Sequence, residues 1–159
     1  MDEPPPWVAC HLDSFIHVFL AERGQLHDYV ENRPKAVACV HPYHTLLGKL
    51  NAITGWYART PFDPDRFVRH YEDAVHIIRN TDRLPPLPGG MTLRDMATTA
   101  KYRLRTDDPA FLLNDERRAD LEASYHAITP LFWGPRVALD DCCGEIRAWL
   151  ENSDVVAEA

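Results

Sequence analysis

Apolar side chains recur at helical spacing along most of the chain, and this spacing restricts the fold more than any other feature. The clearest case follows Pro42, where four large residues stand at positions i, i+4, i+7 and i+11: Leu46, Leu50, Ile53 and Tyr57. Residues at this spacing share one face of an α-helix. Proline suits the first helical position, because its missing N–H has no partner there. We therefore predict a helix from about Pro42 to Arg59 with one buried face.

Two further helix starts carry a local signature. Asp63 precedes Pro64, and an aspartate can accept hydrogen bonds from the free N–H groups of a first turn that begins with proline. Thr92 and Asp95 have the spacing of a capping box, in which each side chain bonds the other's backbone N–H. Both positions are predicted to begin helices.

Helices are also predicted towards both ends of the chain. The first runs from Trp7 to near Gly24, and two later ones begin near Asn114 and Asp140. Ala36–Val40 is the only segment with strand character, and the helical spacing outweighs it. The sequence therefore predicts an all-α fold, an irregular bundle of six to seven helices.

The length of 159 residues predicts a single domain. An apolar fraction of 45% and a charged fraction of 26% are ordinary for a soluble globular chain. Three consecutive prolines predict that residues 1–6 are disordered, and the sequence ENSDVVAEA predicts a flexible acidic tail over residues 153–159. The helical domain is expected to span residues 7–152.

Charge and composition argue against several classes of partner. A formal net charge of -7 argues against nucleic acid, and no apolar run approaches the roughly 20 residues of a membrane-spanning helix. The start MDEPPP lacks the basic and apolar segments of a secretory signal. Four cysteines are too few and too irregular for a disulfide framework. We predict an intracellular protein, cytoplasmic or in the interior of an organelle, that is not secreted and does not insert into a membrane.

Eight histidines raise the question of a metal centre inside the bundle. Four of them stand four residues from a carboxylate, as His76 does from Glu72. At about 100° per residue, Glu72 and His76 project well away from the stripe that begins at Phe67. The pair is therefore predicted to face solvent, where it adds only a few tenths of a kcal/mol. An internal di-metal centre is not predicted.

The hexapeptide CVHPYH gives the best candidate for a metal site. Cys39, His41 and His44 are residue types that bind zinc, although a closed site needs a fourth ligand from elsewhere. The alternative, which the sequence favours, is that Cys39 packs as a small apolar residue and Pro42 begins a helix. No other cofactor is predicted.

No catalytic residue is predicted, and the question whether the chain is an enzyme stays open with the balance against it. The sequence has no glycine-rich phosphate loop, no G-x-S-x-G and no His-Glu-x-x-His motif. Cys142 follows two aspartates, which raise the pKa of a thiol and oppose its use as a nucleophile, whereas a helix N-terminus at this position would have the opposite effect on that pKa.

Two segments are candidate contact sites. The run Leu84, Pro85, Pro86, Leu87 and Pro88 suits a polyproline II helix, the conformer that SH3-type grooves bind. A stiff linker is its alternative. The cluster of Leu131, Phe132 and Trp133 follows Pro130, and the chain has more large aromatic side chains than an irregular bundle of this size readily buries.

The leading functional hypothesis is a non-catalytic accessory subunit or adaptor that acts by protein–protein contact in a larger assembly, with a protein partner or as a homo-oligomer. The competing hypothesis is a zinc-binding helical protein or enzyme centred on Cys39, His41 and His44. Elemental analysis of untagged protein separates the two, because the second requires zinc near one equivalent that a Cys39→Ala variant loses.

Overall fold

The computed structural model describes residues 6–12, 15–28, 35–132 and 134–156. Seven α-helices and one two-stranded sheet account for the regular structure of these ranges, which confirms the predicted all-α class and the predicted number of helices. The chain divides into two compact units, residues 1–41 and 42–159. The domain boundaries inferred from the sequence stay a prediction. Residues 1–5 of the segment predicted to be disordered lie outside the described ranges.

The N-terminal unit contains the sheet and one helix. Strand β1 (Trp7–Leu12) pairs antiparallel with strand β2 (Lys35–Val40), with Trp7 opposite Val40. Helix α1 (Phe15–Glu22) follows β1 along the chain. Beside the end of the strand pair, the His41 N–H donates to the Pro6 carbonyl at 2.8 Å.

The predicted helix from Trp7 to Gly24 is wrong in its first half, where residues 7–12 form β1. The spacing of apolar residues there suits a helix, but a strand is stabilised by a partner that lies elsewhere in the sequence. That partner is the segment with strand character, Ala36–Val40, which becomes β2 with Lys35 added. Within this predicted segment, residues Phe15–Glu22 do form a helix, which is α1.

The described part of the C-terminal unit holds six helices. They are α2 (Pro42–Tyr57), α3 (Arg69–Ile78), α4 (Leu93–Thr99), α5 (Pro109–Leu112), α6 (Arg118–Ala127) and α7 (Leu139–Asn152). Helix α3 lies at the centre of the packing, since it contacts both α2 and α7. Within the described ranges, no helix is both long enough and apolar enough to cross a bilayer.

Helix α2 begins at Pro42 and buries the predicted stripe. Leu46, Leu50 and Ile53 are fully buried and Tyr57 nearly so. They meet apolar side chains from every other helix of the unit in one continuous core. Val155, in the segment predicted to be an acidic tail, is buried in the same core.

Helix α3 begins later than the sequence predicts. Asp63 and Pro64 start a short 3-10 turn over Pro64–Arg66, and α3 itself begins at Arg69. The Asp63 carboxylate accepts a hydrogen bond from Arg66 Nε at 2.7 Å and makes no capping bond to the backbone. The Asp63 side chain is therefore engaged in an ion pair with Arg66 and not in a helix cap.

Local signals at the other two starts give different outcomes. The capping box is confirmed: the Asp95 N–H donates to Thr92 Oγ1 at 3.1 Å, and the Thr92 N–H donates to Asp95 Oδ2 at 2.9 Å. The predicted start near Asn114 is early, since α6 begins at Arg118. Asp115 instead accepts hydrogen bonds from Tyr57 Oη at 2.6 Å and from the Arg117 N–H at 3.0 Å, which hold residues 115–117 in a turn.

Candidate functional site

The two-stranded sheet presents an apolar face to solvent. Side chains alternate along a strand, so the cross-strand pairs Trp7–Val40 and Ala9–Ala38 lie on one side of the sheet. All four residues are exposed, Trp7 by 63%. We call these four residues the apolar sheet face.

Helix α1 exposes apolar side chains around most of its circumference. Phe15 is 83% exposed and Ile16 58%, while Leu20 is buried. Phe15, Ile16, Phe19 and Leu20 line a shallow depression of about 350 Å³. The guanidinium of Arg23 lies over the Phe19 ring, 3.6 Å from its centre.

Exposed apolar side chains are concentrated in the N-terminal unit. Of the eight large ones among the described residues, seven belong to this unit, and Leu20 is its only buried apolar side chain in the same ranges. Single exposed apolar residues are normal on protein surfaces, whereas a concentration of them makes this unit the candidate site. We refer to these seven as the N-terminal apolar surface: Trp7, Phe15, Ile16, Val18, Phe19, Val37 and Val40.

The sequence does contain a signal for this surface. From Trp7 to Ala21 the only formally charged residue is Asp13, so the segment lacks the polar face that a helix on a core normally has. The helical spacing alone predicts a buried stripe. The spacing does not take account of the side chains between the stripe positions, which are apolar as well.

The predicted patch at residues 131–133 is small in the described structure. Leu131 ends a 3-10 turn and is 75% exposed. Phe132 is half-buried, with the Arg136 guanidinium 4.1 Å from its ring centre. Trp133 lies outside the described residues. The role of this patch as a contact site stays a prediction.

The proline-rich segment has the predicted backbone form at the two leucines. Leu84 (φ -73°, ψ 145°) and Leu87 (φ -62°, ψ 138°) both have polyproline II angles. The three prolines are exposed, whereas Leu87 packs against the core. This geometry suits a stiff connection between α3 and α4, and the role of Leu84–Pro88 as a ligand for another protein stays a prediction.

The three candidate metal ligands divide between the two units. Cys39 lies on β2 and His41 is buried just after it, while His44 lies in the first turn of α2. Hydrogen bonding between the Cys39 and Cys10 side chains, with partial burial, raises the pKa of Cys39 and disfavours the thiolate that zinc requires. Within the described ranges, no three His, Cys, Asp or Glu side chains are placed to share an ion. The zinc hypothesis stays a prediction.

The C-terminal unit holds a buried carboxylate that the sequence placed in solvent. Glu72, on α3, is 1% exposed, although its neighbour His76 is largely exposed. Its carboxylate accepts hydrogen bonds from Arg136 Nε and from the Val137 N–H, the latter at 3.3 Å. The prediction is wrong because residues 136 and 137, distant in sequence, cover this side of α3.

A tyrosine and a thiol complete this polar cluster. Tyr125 Oη lies 2.7 Å from the Val137 carbonyl and 3.1 Å from the Glu72 carboxylate, and it has one proton to donate between them. Cys142 Sγ lies 3.6 Å from the same hydroxyl. Two open clefts of about 400 Å³ flank the segment from Arg136 to Ala138 that covers the cluster.

The electrostatics of the cluster favour a structural role over a catalytic one. Burial raises the pKa of Tyr125 and raises the pKa of Cys142 to about 11, so both groups are protonated at neutral pH. Burial contributes more to the Cys142 shift than neighbouring carboxylates do. The Glu72 carboxylate is neutralised by Arg136 and carries hydrogen bonds on both oxygens. The cluster therefore offers neither a thiolate nucleophile nor a free base.

Comparison of the chain with protein-family models, with curated proteins and with solved structures found no match.

Proposed function

We propose that the protein is a non-catalytic helical accessory subunit or adaptor that acts through protein–protein contact in a larger assembly, inside the cell. The N-terminal apolar surface is the proposed contact surface. One observation carries this proposal: seven large apolar side chains are exposed in a unit whose described residues include a single buried apolar side chain, Leu20. Apolar surface of this extent is unfavourable in water and favours association with another apolar surface.

The size of the N-terminal unit supports the same proposal. A two-stranded sheet is marginally stable in water unless further strands or a helix pack on it. Folded units of about 40 residues generally need oligomerisation, a metal or disulfides, and this unit spans residues 1–41. A partner that covers the N-terminal apolar surface supplies the missing contacts.

Charge favours a protein over a lipid surface or a nucleic acid as the partner. Helices that lie in a membrane interface are rich in lysine and arginine on their polar side, whereas α1 has the sequence FIHVFLAE with neither. The net charge of -7 opposes binding to phosphate backbones and to anionic lipid.

The patch at Leu131, Phe132 and Trp133 becomes secondary in this proposal. Phe132 is engaged by the Arg136 guanidinium, so a partner meets fewer free apolar atoms there than on α1. We keep the contact role predicted from the sequence and assign it to a surface of the N-terminal unit.

Photo-crosslinking in the cells of origin tests this proposal. A photoreactive amino acid replaces Phe19 on α1, and in a matched control it replaces Ala123, which is exposed on α6. We expect a discrete protein adduct at position 19 and none at position 123. A second substitution, Phe15→Ser, is expected to lower the yield of that adduct about tenfold, because exposed aromatics at an interface often dominate its affinity. Adducts of equal yield at both positions would contradict the proposed surface.

A further inference from the structure

We propose that the partner of the apolar sheet face is a second copy of this chain, and that two copies form a symmetric dimer through their N-terminal apolar surfaces. This inference rests on the proposed function and identifies one partner of the proposed surface.

The order of large and small side chains on the apolar sheet face lets the face pack against a second copy of itself. Trp7 stands at one end, and the next cross-strand pair on the same face is Ala9 with Ala38. Successive residues on one face of a strand are about 6.6 Å apart, so a large side chain lies beside a shallow recess formed by two methyl groups. A two-fold axis across the face places Trp7 of each copy over the alanine recess of the other. Each residue contact then occurs twice, as a two-fold interface requires.

The charge distribution favours this face for contact between copies. Each chain has a formal net charge of -7, so two copies repel each other when acidic surfaces meet. The four side chains of the apolar sheet face are uncharged, and Arg23, at the end of α1, is already stacked on Phe19. Contact through these four side chains therefore places no charged group in the interface.

The exposed aromatic side chains alone supply about half of the area that a standard dimer interface needs. A buried aromatic side chain contributes about 150–250 Å², so the exposed fractions of Trp7, Phe15 and Phe19 amount to about 300–450 Å² per copy. A specific interface buries about 800 Å² per partner. The exposed aliphatic side chains of α1 and Val40 on β2 add to the aromatic area, which brings the total towards that of a standard interface when both the sheet face and α1 take part.

Sedimentation velocity of the full-length chain tests the dimer. At about 50 μM, above the dissociation constant of most specific homodimers, the wild type is expected to sediment with twice the chain mass of 18.2 kDa. Ala38→Glu places a charge in the recess and is expected to sediment at 18.2 kDa with an unchanged circular dichroism spectrum. Ala38→Ser, which keeps the recess, is the matched control and remains a dimer. Trp7→Ala is a second test, because it removes the large side chain and leaves the recess intact; it too is expected to yield monomer.

The results separate this inference from the proposed function. A wild type that is monomeric at this concentration overturns the dimer, and so does an Ala38→Glu or Trp7→Ala variant that folds and still dimerises. If the chain is monomeric but position 19 crosslinks to a different protein, the dimer fails and the proposed contact surface stands. If the chain is monomeric and position 19 gives no adduct, both fail.

Discussion

Glu72 is a carboxylate held in an apolar interior by distant residues. Removing a carboxylate from water costs several kcal/mol, and the cost is offset only when the charge is paired and hydrogen-bonded. Here the Arg136 guanidinium pairs with it, and the Val137 N–H and the Tyr125 hydroxyl lie within hydrogen-bond distance. The stability of this corner of the C-terminal unit therefore depends on both members of the pair being present.

Substitution of Arg136 by methionine is expected to lower the free energy of unfolding by about 3–5 kcal/mol, because it leaves the Glu72 charge buried and unpaired. The double variant Glu72→Gln with Arg136→Met is expected to lose much less than the sum of the single variants. Denaturant unfolding measures all three. Arg105→Met, which breaks an exposed ion pair with Asp107, is the control and is expected to cause no measurable change. If the loss of unfolding free energy in the double variant equals the sum of the losses in the two single variants, the pair does not act as a unit.

At the scale of elements, ion pairs join α3 to α2 and Arg79, the residue that follows α3, to α7. Asp73 accepts a hydrogen bond from Lys49 Nζ on α2 at 2.6 Å, and Glu145 on α7 accepts one from Arg79 Nε at 2.9 Å. The first pair is partly buried and the second lies at the surface. Salt screens surface pairs strongly, so the α2–α3 pair is expected to contribute more to stability.

The α2–α3 pair predicts a specific loss of stability in acid. His70 and Lys49 lower the pKa of Asp73 to about 2; His70 Nδ1 lies 3.7 Å away, so the direct hydrogen bond comes from Lys49. An unfolded aspartate has a pKa of about 3.9. A lowered folded-state pKa gives stability that is present above about pH 4 and is lost as the pH falls towards about 2.

Urea unfolding of the wild type and of Asp73→Asn measures this loss. The difference in unfolding free energy between them is expected to be constant above about pH 5 and to shrink between about pH 4 and pH 2. Lys49→Met removes the donor of the same hydrogen bond. The unfolding free energy of this variant is therefore expected to vary less with pH between about pH 4 and pH 2 than that of the wild type. A difference that does not vary with pH would contradict the assignment to Asp73.

At the scale of the whole molecule, the sequence predicts the parts of the fold that local signals determine. The stripe of α2 and the capping box at Thr92 are confirmed, because each depends on residues within a few turns of one helix. The strand β1 and the burial of Glu72 escape prediction, because each is decided by a segment far along the chain, residues 35–40 in one case and 136–137 in the other.

The candidate surface escapes prediction for a related reason. Composition shows that residues 7–22 are rich in apolar side chains, but only the packed structure decides which of them are covered. Trp7 and Phe15 have the sequence pattern of core residues and lie in solvent. The excess of large aromatic side chains did point to an exposed surface, and Leu131 belongs to the predicted one, but most exposed apolar side chains of the described residues lie elsewhere.

The packing of α3 against α7 has a consequence for the rate of folding. Arg79 and Glu145, which join these helices, are 66 residues apart, whereas α2 and α3 are neighbours along the chain. Closing a long loop costs more entropy than closing a short one, and distant contacts form more slowly. We therefore expect α2 and α3 to associate early in folding and α7 to join them late.

Stopped-flow kinetics distinguish this order from a simultaneous one. Ile146→Ala, in the buried face of α7, is expected to speed unfolding and to leave the refolding rate nearly unchanged. Ile53→Ala, in the buried face of α2, is expected to slow refolding. Equal slowing of refolding by both variants would rule out the order. With the expected result, the position of α7 in the sequence makes it the last helix to complete the core and the first to leave it when the unit opens.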